Sequence, residues 1–300
     1  MSEVLISPNN KVVAIGGGHG LPQVLKAFSF LGNNLSAIVT TTDNGGSSGR
    51  LRKINNNIAW GDIRNCISSL VDDELSQELL SFRFPGKIEL GGHNLGNIIF
   101  TALEQMGNTP SAAIRLIKNL LNIKANIYPM TEEVSDLKAV LEDNSIILGE
   151  TQIDDLQRLP RQITLHPKVQ ALNPAIKSIS EADIIILGPG SFFSSILPPL
   201  LIERYAQAIN QSKAKIFFID NILPEQSLAK LMSLADKAAY LQTLINREVD
   251  CIISTNREEN TIKNIITTDD IKLASNYHCS SALATVISHY YYIDKAALAI

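Results

Sequence analysis

The sequence is poor in cysteine and contains no long apolar run. Its three cysteines, Cys66, Cys251 and Cys279, are far apart and form no Cys-x-x-Cys pair. This spacing excludes a disulfide framework and a zinc site built on cysteine pairs, and it is typical of the reducing cytoplasm. No apolar segment approaches the roughly 20 residues of a membrane-spanning helix, and residues 1–11 lack the pattern of a signal peptide. We therefore expect a cytoplasmic protein without a membrane span.

Charged residues are also scarce. They make up 19% of the 300 residues, and 26 lysines and arginines face 30 aspartates and glutamates. The resulting net charge of -4 argues against nucleic acid as a partner, because a nucleic-acid surface needs a broad basic face. A small anion pocket with one or two arginines is compatible with this charge. Hydrophobic residues make up 45% of the chain, which is enough for a large core.

Short apolar, β-branched runs alternate with helical patterns along most of the chain. Residues 11–15 and 35–41 have the composition of buried parallel strands. The spacing of apolar residues from 21 to 31 predicts a helix between them. Further buried strands are expected at 183–187 and 215–220. This alternation predicts an α/β fold, Rossmann-like and doubly wound, with a mostly parallel sheet.

The middle of the chain has a different character. Residues 125–167 contain short alternating runs separated by turn residues, which predict an antiparallel, β-rich insert. A long helical tract at 226–247 and a closing helix at 280–291 follow. No linker rich in proline, glycine or serine divides the sequence. We therefore expect a single α/β domain over residues 1–300, with the small β-rich insert at about 125–167.

The first strand runs directly into a glycine-rich turn, Gly16 to Gly20, with His19 inside it. Consecutive glycines let backbone N–H groups approach a ligand, and the following helix adds partial positive charge. Leu21 stands where the dinucleotide fingerprint needs its third glycine, which disfavours an NAD-dependent oxidoreductase. No Gly-Lys-Ser/Thr follows, so the turn is not a P-loop. The alternative is a tight packing turn without a ligand.

The second strand is followed by Asp-Asn-Gly-Gly-Ser-Ser-Gly-Arg, residues 43–50. Asp43 offers a carboxylate, Ser47 and Ser48 offer hydroxyls, and Arg50 is a bidentate partner for an oxyanion. Together on one flexible loop these groups suit a phosphate, with or without Mg²⁺ bound by Asp43. The alternative is a solvated hairpin loop.

Three further turns have a similar composition. Asp62 is expected to cap a helix that carries Arg64, His93 opens another helix as a phosphate donor or acid/base, and residues 188–191 end a buried strand. Their alternatives are an ordinary helix cap with Arg64 in solvent, a local hydrogen-bonding histidine and a structural turn. Because several turns follow strands at one sheet edge, we expect them to form one electropositive cup for a nucleotide or nucleotide-sugar. The predicted nucleotide- and phosphate-binding residues are Gly16, Gly17, Gly18, His19, Gly20, Asp43, Asn44, Gly45, Gly46, Ser47, Ser48, Gly49, Arg50, Asp62, Arg64, Asn65, His93, Gly96, Asn97, Gly188, Gly190 and Ser191.

The segments VVAIGGGHGL, TTTDNGGSSGRLR, GDIRN, GHNLGN and GPGSFFSSILPPLL together resemble the gluconeogenesis factor family. This is the YvcK-like branch of the CofD-like superfamily, which also contains 2-phospho-L-lactate transferase. The resemblance implies a Rossmann-like fold, a cytoplasmic location and binding of a nucleoside diphosphate or UDP-sugar. It also implies a role in carbon metabolism, cell-wall supply and cell shape.

The chain departs from the family pattern at several positions. Many members have a second aspartate where this chain has Asn44, and a threonine where it has His19. Residues 221–225 and 277–279 also differ, on the sugar side of the implied site. Two hypotheses follow. One is a regulatory nucleotide-binding protein, for which a homo-oligomer stays open. The alternative is a Mg²⁺-dependent phosphate-group transferase that uses Asp43, with His93 as acid/base.

Overall fold

The structure is a computed structural model that describes residues 5–86, 89–256, 264–273 and 277–297. The strands are β1 Val12–Gly16, β2 Leu35–Val39, β3 Asn126–Pro129, β4 Asp136–Val140, β5 Ile146–Leu148, β6 Gln162–His166, β7 Ile184–Leu187, β8 Lys215–Ile219, β9 Cys251–Ser254 and β10 Ile265–Thr267. The α-helices are α1 Leu21–Ala27, α2 Gly46–Asn55, α3 Gly61–Ser69, α4 Glu74–Ser81, α5 Leu95–Gln105, α6 Pro110–Leu120, α7 Glu150–Asp154, α8 Asn173–Ser180, α9 Leu197–Leu200, α10 Glu203–Gln211, α11 Leu234–Ile245 and α12 Ser280–Ala297.

Seven strands form one parallel sheet in the order β10-β9-β8-β7-β1-β2-β3. The chain builds outward from β1 through β2 to β3, and then returns to β7 on the other side of β1. The strand order therefore reverses between β1 and β7. This is the order of doubly wound nucleotide-binding folds, whose ligands lie in the crevice at the reversal point. The predicted fold class is confirmed.

Helices cover both faces of the sheet. Val12 and Ala14 of β1 pack in the core with α1, α3, α5, α6 and α12, whereas Val13 and Ile15 pack with α8, α9, α10 and α11. Every residue of β1, β2 and β7 is consequently buried. A strand covered on both faces needs no polar side, which explains why these segments are continuous apolar runs.

A small antiparallel sheet, β5-β4-β6, packs beside the main one. It begins at Asp136, whereas we expected the insert to start at about 125. β3 instead joins the main sheet, where Ser36 of β2 pairs in parallel with Asn126. As an edge strand β3 is buried on alternate residues, so its pattern imitates a half-exposed antiparallel strand. Residues 150–154, which we also expected to be extended, form α7.

Local chemistry divides two of the expected helices. The tract at 226–247 contains a 3₁₀ turn, Leu228–Leu231, and then α11. Ser233 separates them because it forms a capping box with Asp236, which starts a new helix. The helix expected at 21–31 gives way to a 3₁₀ segment at Ser29–Asn34, in which Gly32 has a φ of 54°.

The N-terminal segment is attached to the last helix. The Ile6 and Ser7 backbone N–H groups donate to Ser288 Oγ and to the Tyr292 hydroxyl, each at 3.1 Å. Asn10 Nδ2 donates to the Tyr291 hydroxyl, also at 3.1 Å. Tyr291 and Tyr292 of α12 therefore anchor this segment. In the part of the chain that the structure describes, no helix combines the length and the apolar composition needed to cross a membrane.

Candidate functional site

The turns that follow β1 and β7 lie against each other at the reversal point of the sheet. An added Cβ on Gly20 would collide with the Pro189 carbonyl oxygen, and one on Gly190 would lie 3.3 Å from the Gly17 carbonyl oxygen. Asn221, which follows β8, donates from Nδ2 to the Gly190 carbonyl oxygen at 2.9 Å. The close approach of these backbones requires glycine at positions 20 and 190. The ends of three strands thus form one surface.

A cavity of about 410 Å³ opens at this surface. This volume is within the range of ligand pockets for nucleotide-sized molecules. The turns after β1 and β7 form one side of the cavity, the 221–227 segment forms another, and α7 contributes two carboxylates. The lining of the cavity includes Gly18, His19, Gly20, Glu150, Asp154, Ser194, Glu225 and His278.

The cavity is acidic, so the expectation that the turns form one electropositive cup is wrong. Burial raises the pKa of Glu150 well above its usual range, and the nearby charges of Asp43 and Asp62 raise it further. Burial likewise raises the pKa of Asp154 to about 6. Among the described residues, the single oxygens Glu150 Oε2 and Asp154 Oδ1 have no hydrogen-bond partner, although the Ser194 hydroxyl interacts with both carboxyl groups. The cavity therefore offers acceptors to hydroxyl or cationic groups of a ligand.

Asp62 lies directly behind the glycine turn that follows β1. We expected it to cap α3, but the N-cap residue is Trp60, and Asp62 lies inside the first turn. Its carboxylate accepts a hydrogen bond from the Gly18 N–H, and burial raises its pKa to about 6, with a smaller contribution from Asp43. A Cβ on Gly17 would collide with this carboxylate. The glycine is required because a carboxylate lies directly behind the turn.

The segment from Asp43 to Arg50 is mostly helical rather than a flexible loop, because α2 begins at Gly46. Asp43 Oδ1 accepts from the Gly45 N–H at 2.7 Å, which closes the turn before the helix. Asn44 faces α7, where its Oδ1 accepts from the Thr151 N–H at 3.0 Å. Its amide therefore joins the first α/β unit to the insert.

Arg52, whose side chain is 8% exposed and which the sequence did not single out, holds the Asp43 turn in place. Its Nη1 donates to the carbonyl oxygens of Thr42 and Asp43 at 3.2 Å and to Asp136 Oδ1 at 2.9 Å. Its Nη2 donates to the Ser135 carbonyl oxygen at 2.9 Å. One guanidinium group thus connects the end of β2 to the start of β4.

A second group of predicted residues surrounds the N-terminus of α5. His93 Nδ1 lies 3.3 Å from Ser47 Oγ, and Arg64 Nε donates to Asn97 Oδ1 at 3.4 Å. Arg64 packs across Gly96, where an added Cβ would lie 2.8 Å from its Cγ. It is thus partly buried, and the alternative of a solvated Arg64 is wrong. Burial, followed by the charge of Arg50, lowers the pKa of His93, which favours the neutral imidazole.

The predicted residues therefore form an acidic group at the glycine turns and a basic group around α5. Ser48 joins them: an added Cβ on Gly61 would lie 2.7 Å from Ser48 Oγ and 3.4 Å from Asp43 Oδ2. Asn97 Nδ2 donates to the same Ser48 oxygen at 3.5 Å. The sequence did not point to several residues that complete these groups, because they come from distant segments with no motif of their own. They are Arg83, Glu150 and Asp154.

Comparison with known proteins identifies a matching family and close relatives. The family model described as "2-phospho-L-lactate transferase CofD" matches residues 12–288. A Pasteurella multocida protein named "Putative gluconeogenesis factor" is 46% identical over 252 residues, covering 83% of this chain and 82% of that protein. A Listeria innocua protein named "Gluconeogenesis factor" is 40% identical over 228 residues, covering 75% of this chain and 71% of that protein.

A solved structure shows the same architecture. It is a member of the UPF0052 family from Bacillus halodurans, which matches with a TM-score of 0.83 and 26% sequence identity. The match covers 93% of this chain and 98% of that one. The glycine turns, the sheet order and the family match are thus consistent with one another, and the chain belongs to the CofD family, within the group of proteins named gluconeogenesis factors.

Proposed function

We propose that this chain binds a nucleoside diphosphate or a UDP-sugar in the crevice between β1 and β7. The observation that carries the proposal is the contact of the two glycine turns at the point where the strand order reverses. Open α/β sheets bind nucleotides at this place. The name of the relatives, gluconeogenesis factor, supports a role for this binding in carbon metabolism. The resemblance of the sequence motifs to the YvcK-like branch is the basis for proposing that the role is regulatory and linked to cell-wall supply and cell shape.

The polarity of the site suits such a ligand. Backbone N–H groups of the first glycine turn and the guanidinium of Arg50 are donors for phosphate oxygens. Glu150 and Asp154 are acceptors for ribose or sugar hydroxyls, which would satisfy their unpartnered oxygens. A ligand with an anionic middle and a hydroxyl-rich end therefore matches both groups of residues.

Ligand-induced thermal stabilisation tests the proposal. Protein freed of carried-over ligand is melted with UDP, GDP and UDP-sugars at millimolar concentration. A ligand present at 100 times its Kd stabilises the native state by about 2.7 kcal/mol. We expect His19→Ala, at the exposed cavity rim, to weaken the shift, and His289→Ala, exposed on α12, to leave it unchanged. No stabilisation by any of these nucleotides would refute the proposal.

A second candidate function is a Mg²⁺-dependent phosphate-group transferase. The carboxylates of Asp43 and Asp62 interact at the strand ends, and the matching family model is described as a transferase. Among the residues whose positions are described, no group of three or more acids, histidines or cysteines could hold a metal. Mg²⁺ commonly uses one or two carboxylates with water and phosphate oxygens, so Asp43 and Asp62 fit it. Bound there, the ion would neutralise phosphate charge.

Phosphorus NMR distinguishes the transferase from a binding protein. The protein is incubated with Mg²⁺ and a nucleoside-diphospho substrate, and new phosphorus resonances are followed over time. A transferase should lose turnover in Asp43→Asn and keep it in the control Asp72→Asn, which alters an exposed residue outside the site. An unchanged spectrum after long incubation would contradict this second candidate.

A further inference from the structure

Three arginines gather around the N-terminus of α5. Arg50 Nη1 donates to the Gly91 carbonyl oxygen at 3.0 Å, and Arg83 Nη1 donates to the Gly92 carbonyl oxygen at 2.7 Å. Because these carbonyls belong to adjacent residues, one turn holds two guanidinium groups. Arg64 approaches from α3 and reaches the third residue of α5 through its bond to Asn97.

The position of Arg83 is fixed by the backbone as well. Arg83 pairs with Asn94, the N-cap residue of α5, through an isolated antiparallel bridge. Gly92 has a φ of 74°, and an added Cβ there would lie 3.1 Å from Arg50 Nη2. A residue with a side chain would therefore displace the Arg50 guanidinium from the turn.

Acidic residues compensate the three positive charges only in part. None of the ion pairs formed within residues 5–86, 89–256, 264–273 and 277–293 includes Arg50, Arg64 or Arg83. The nearby charge of Arg83 lowers the pKa of Arg64, after the larger effect of burial, and Asp62 only partly opposes it. Like charges around one turn repel one another, and Asp62 offsets only part of this repulsion. An anion would remove this repulsion.

The three arginines also have N–H donors beyond those used in the hydrogen bonds described above. A guanidinium carries five N–H donors, and the side-chain bonds described above use one donor of each arginine. α5 is eleven residues long, and its N-terminus adds partial positive charge at the same place. Buried His93 adjoins Ser47 beside it. The donors and the charge are both of the kind that bind phosphate in proteins.

We propose that Arg50, Arg64 and Arg83 form one oxyanion site that takes a phosphate group, with Arg83 as a binding residue outside the glycine-rich motifs. The inference deepens the proposed function and rests on it for one point, that the phosphate belongs to the nucleotide ligand. The phosphate end of the ligand then lies at α5. Its hydroxyl-rich end lies toward Glu150 and Asp154.

Binding of inorganic phosphate and pyrophosphate to the full chain tests the site directly. Calorimetric titration at low ionic strength should show binding that weakens as salt is added. Arg83→Gln should weaken it at least tenfold, and Arg83→Lys should restore only part because lysine lacks the planar fork. Arg115→Gln is the matched control, since Arg115 is exposed on α6. Absence of binding to the wild-type protein, or equal binding to Arg83→Gln, would overturn the inference.

Two further measurements distinguish loss of the phosphate site from misfolding and from failure of the proposed nucleotide binding. Circular dichroism and melting without ligand should show that Arg83→Gln is folded, since Arg83 is exposed. If Arg83→Gln is unfolded, Arg50→Gln takes its place in the titrations, because Arg50 is exposed as well. Nucleotide titration of the same variants separates the inference from the proposed function. Phosphate binding that depends on Arg83, without any nucleotide binding, would contradict only the proposed function. Equal nucleotide affinity of wild type and Arg83→Gln would contradict only the inference.

Discussion

Replacing Arg52 with methionine tests how the Asp43 turn is attached to the rest of the protein. The Arg52 side chain is 8% exposed, whereas its ion-pair partner Asp136 is 41% exposed. Methionine keeps much of the apolar stem but removes every hydrogen bond of the guanidinium. The carbonyl oxygens of Thr42, Asp43 and Ser135 then lose a charged donor.

The expected cost follows from these contacts. Hydrogen bonds from a charged group to a neutral one contribute about 1.5–3 kcal/mol each. Water can reach some of the freed carbonyls, and a half-exposed ion pair adds at most about 1 kcal/mol. We therefore expect Arg52→Met to lower the free energy of unfolding by about 3 kcal/mol. Arg52→Lys should lose about half as much, since an ammonium cannot reach both β2 and β4.

Urea unfolding followed by circular dichroism measures this change. Arg115→Met, on the exposed face of α6, is the control and should alter the free energy of unfolding by less than about 0.5 kcal/mol. Asp136→Asn should lower it by less than about 1 kcal/mol. If Arg52→Met lowers it by less than about 1 kcal/mol, the guanidinium does not hold β2 to β4 in the way we describe.

Four other substitutions test the glycine turn and the buried charges. Gly20→Ala should melt at lower temperature, with a loss of about 1–3 kcal/mol, because its Cβ would collide with the Pro189 carbonyl oxygen; unchanged melting would contradict this. Stability should fall as pH rises from about 4 to 6, because burial raises the pKa of Asp62 to about 6 and the folded protein retains a proton that the unfolded chain releases. Asp62→Asn should flatten that slope in urea titrations at several pH values, and an identical slope would show that other groups cause it. Lys237→Met should lower the free energy of unfolding by about 3–5 kcal/mol, because Glu225, 5% exposed, loses its partner at 2.8 Å. Adding Glu225→Gln should recover at least about 1 kcal/mol in a double-mutant cycle. No recovery would refute the pairing.

The parallel sheet was predictable because its central strands lie between two helical layers. A segment such as Ile184–Leu187 has no polar side, and the sequence shows this directly. β3 was not predictable as part of the same sheet, because an edge strand is half exposed and resembles a hairpin strand. Ser233 and Asp236 together form a recognisable capping box, so the break before α11 was present in the sequence but obscured by apolar residues on both sides.

The candidate site likewise contains some residues that were predictable from the sequence and others that were not. Gly17 and Gly20 follow a strand, and their neighbours in sequence already indicate a ligand turn. Glu150 and Asp154 reach the cavity only because the insert folds back onto the main sheet, and no local pattern indicates this. Arg83 stands outside the glycine-rich motifs, and a lone arginine in such a position is most often a surface residue. Such residues become recognisable only when tertiary structure brings several like charges together.

The link between the N-terminal segment and α12 has a consequence for folding. Ile6 and Ser288 are 282 positions apart in the chain, yet they are joined by a direct hydrogen bond. Contacts of such long sequence separation form late, since a very large loop must close first. During synthesis, β1 is made first and α12 last among these elements. The helical layer on this face of the sheet is consequently complete only when α12 has been made. Until α12 is made, the part of α1 that packs against it stays exposed to solvent, although α1 can already pack against α3.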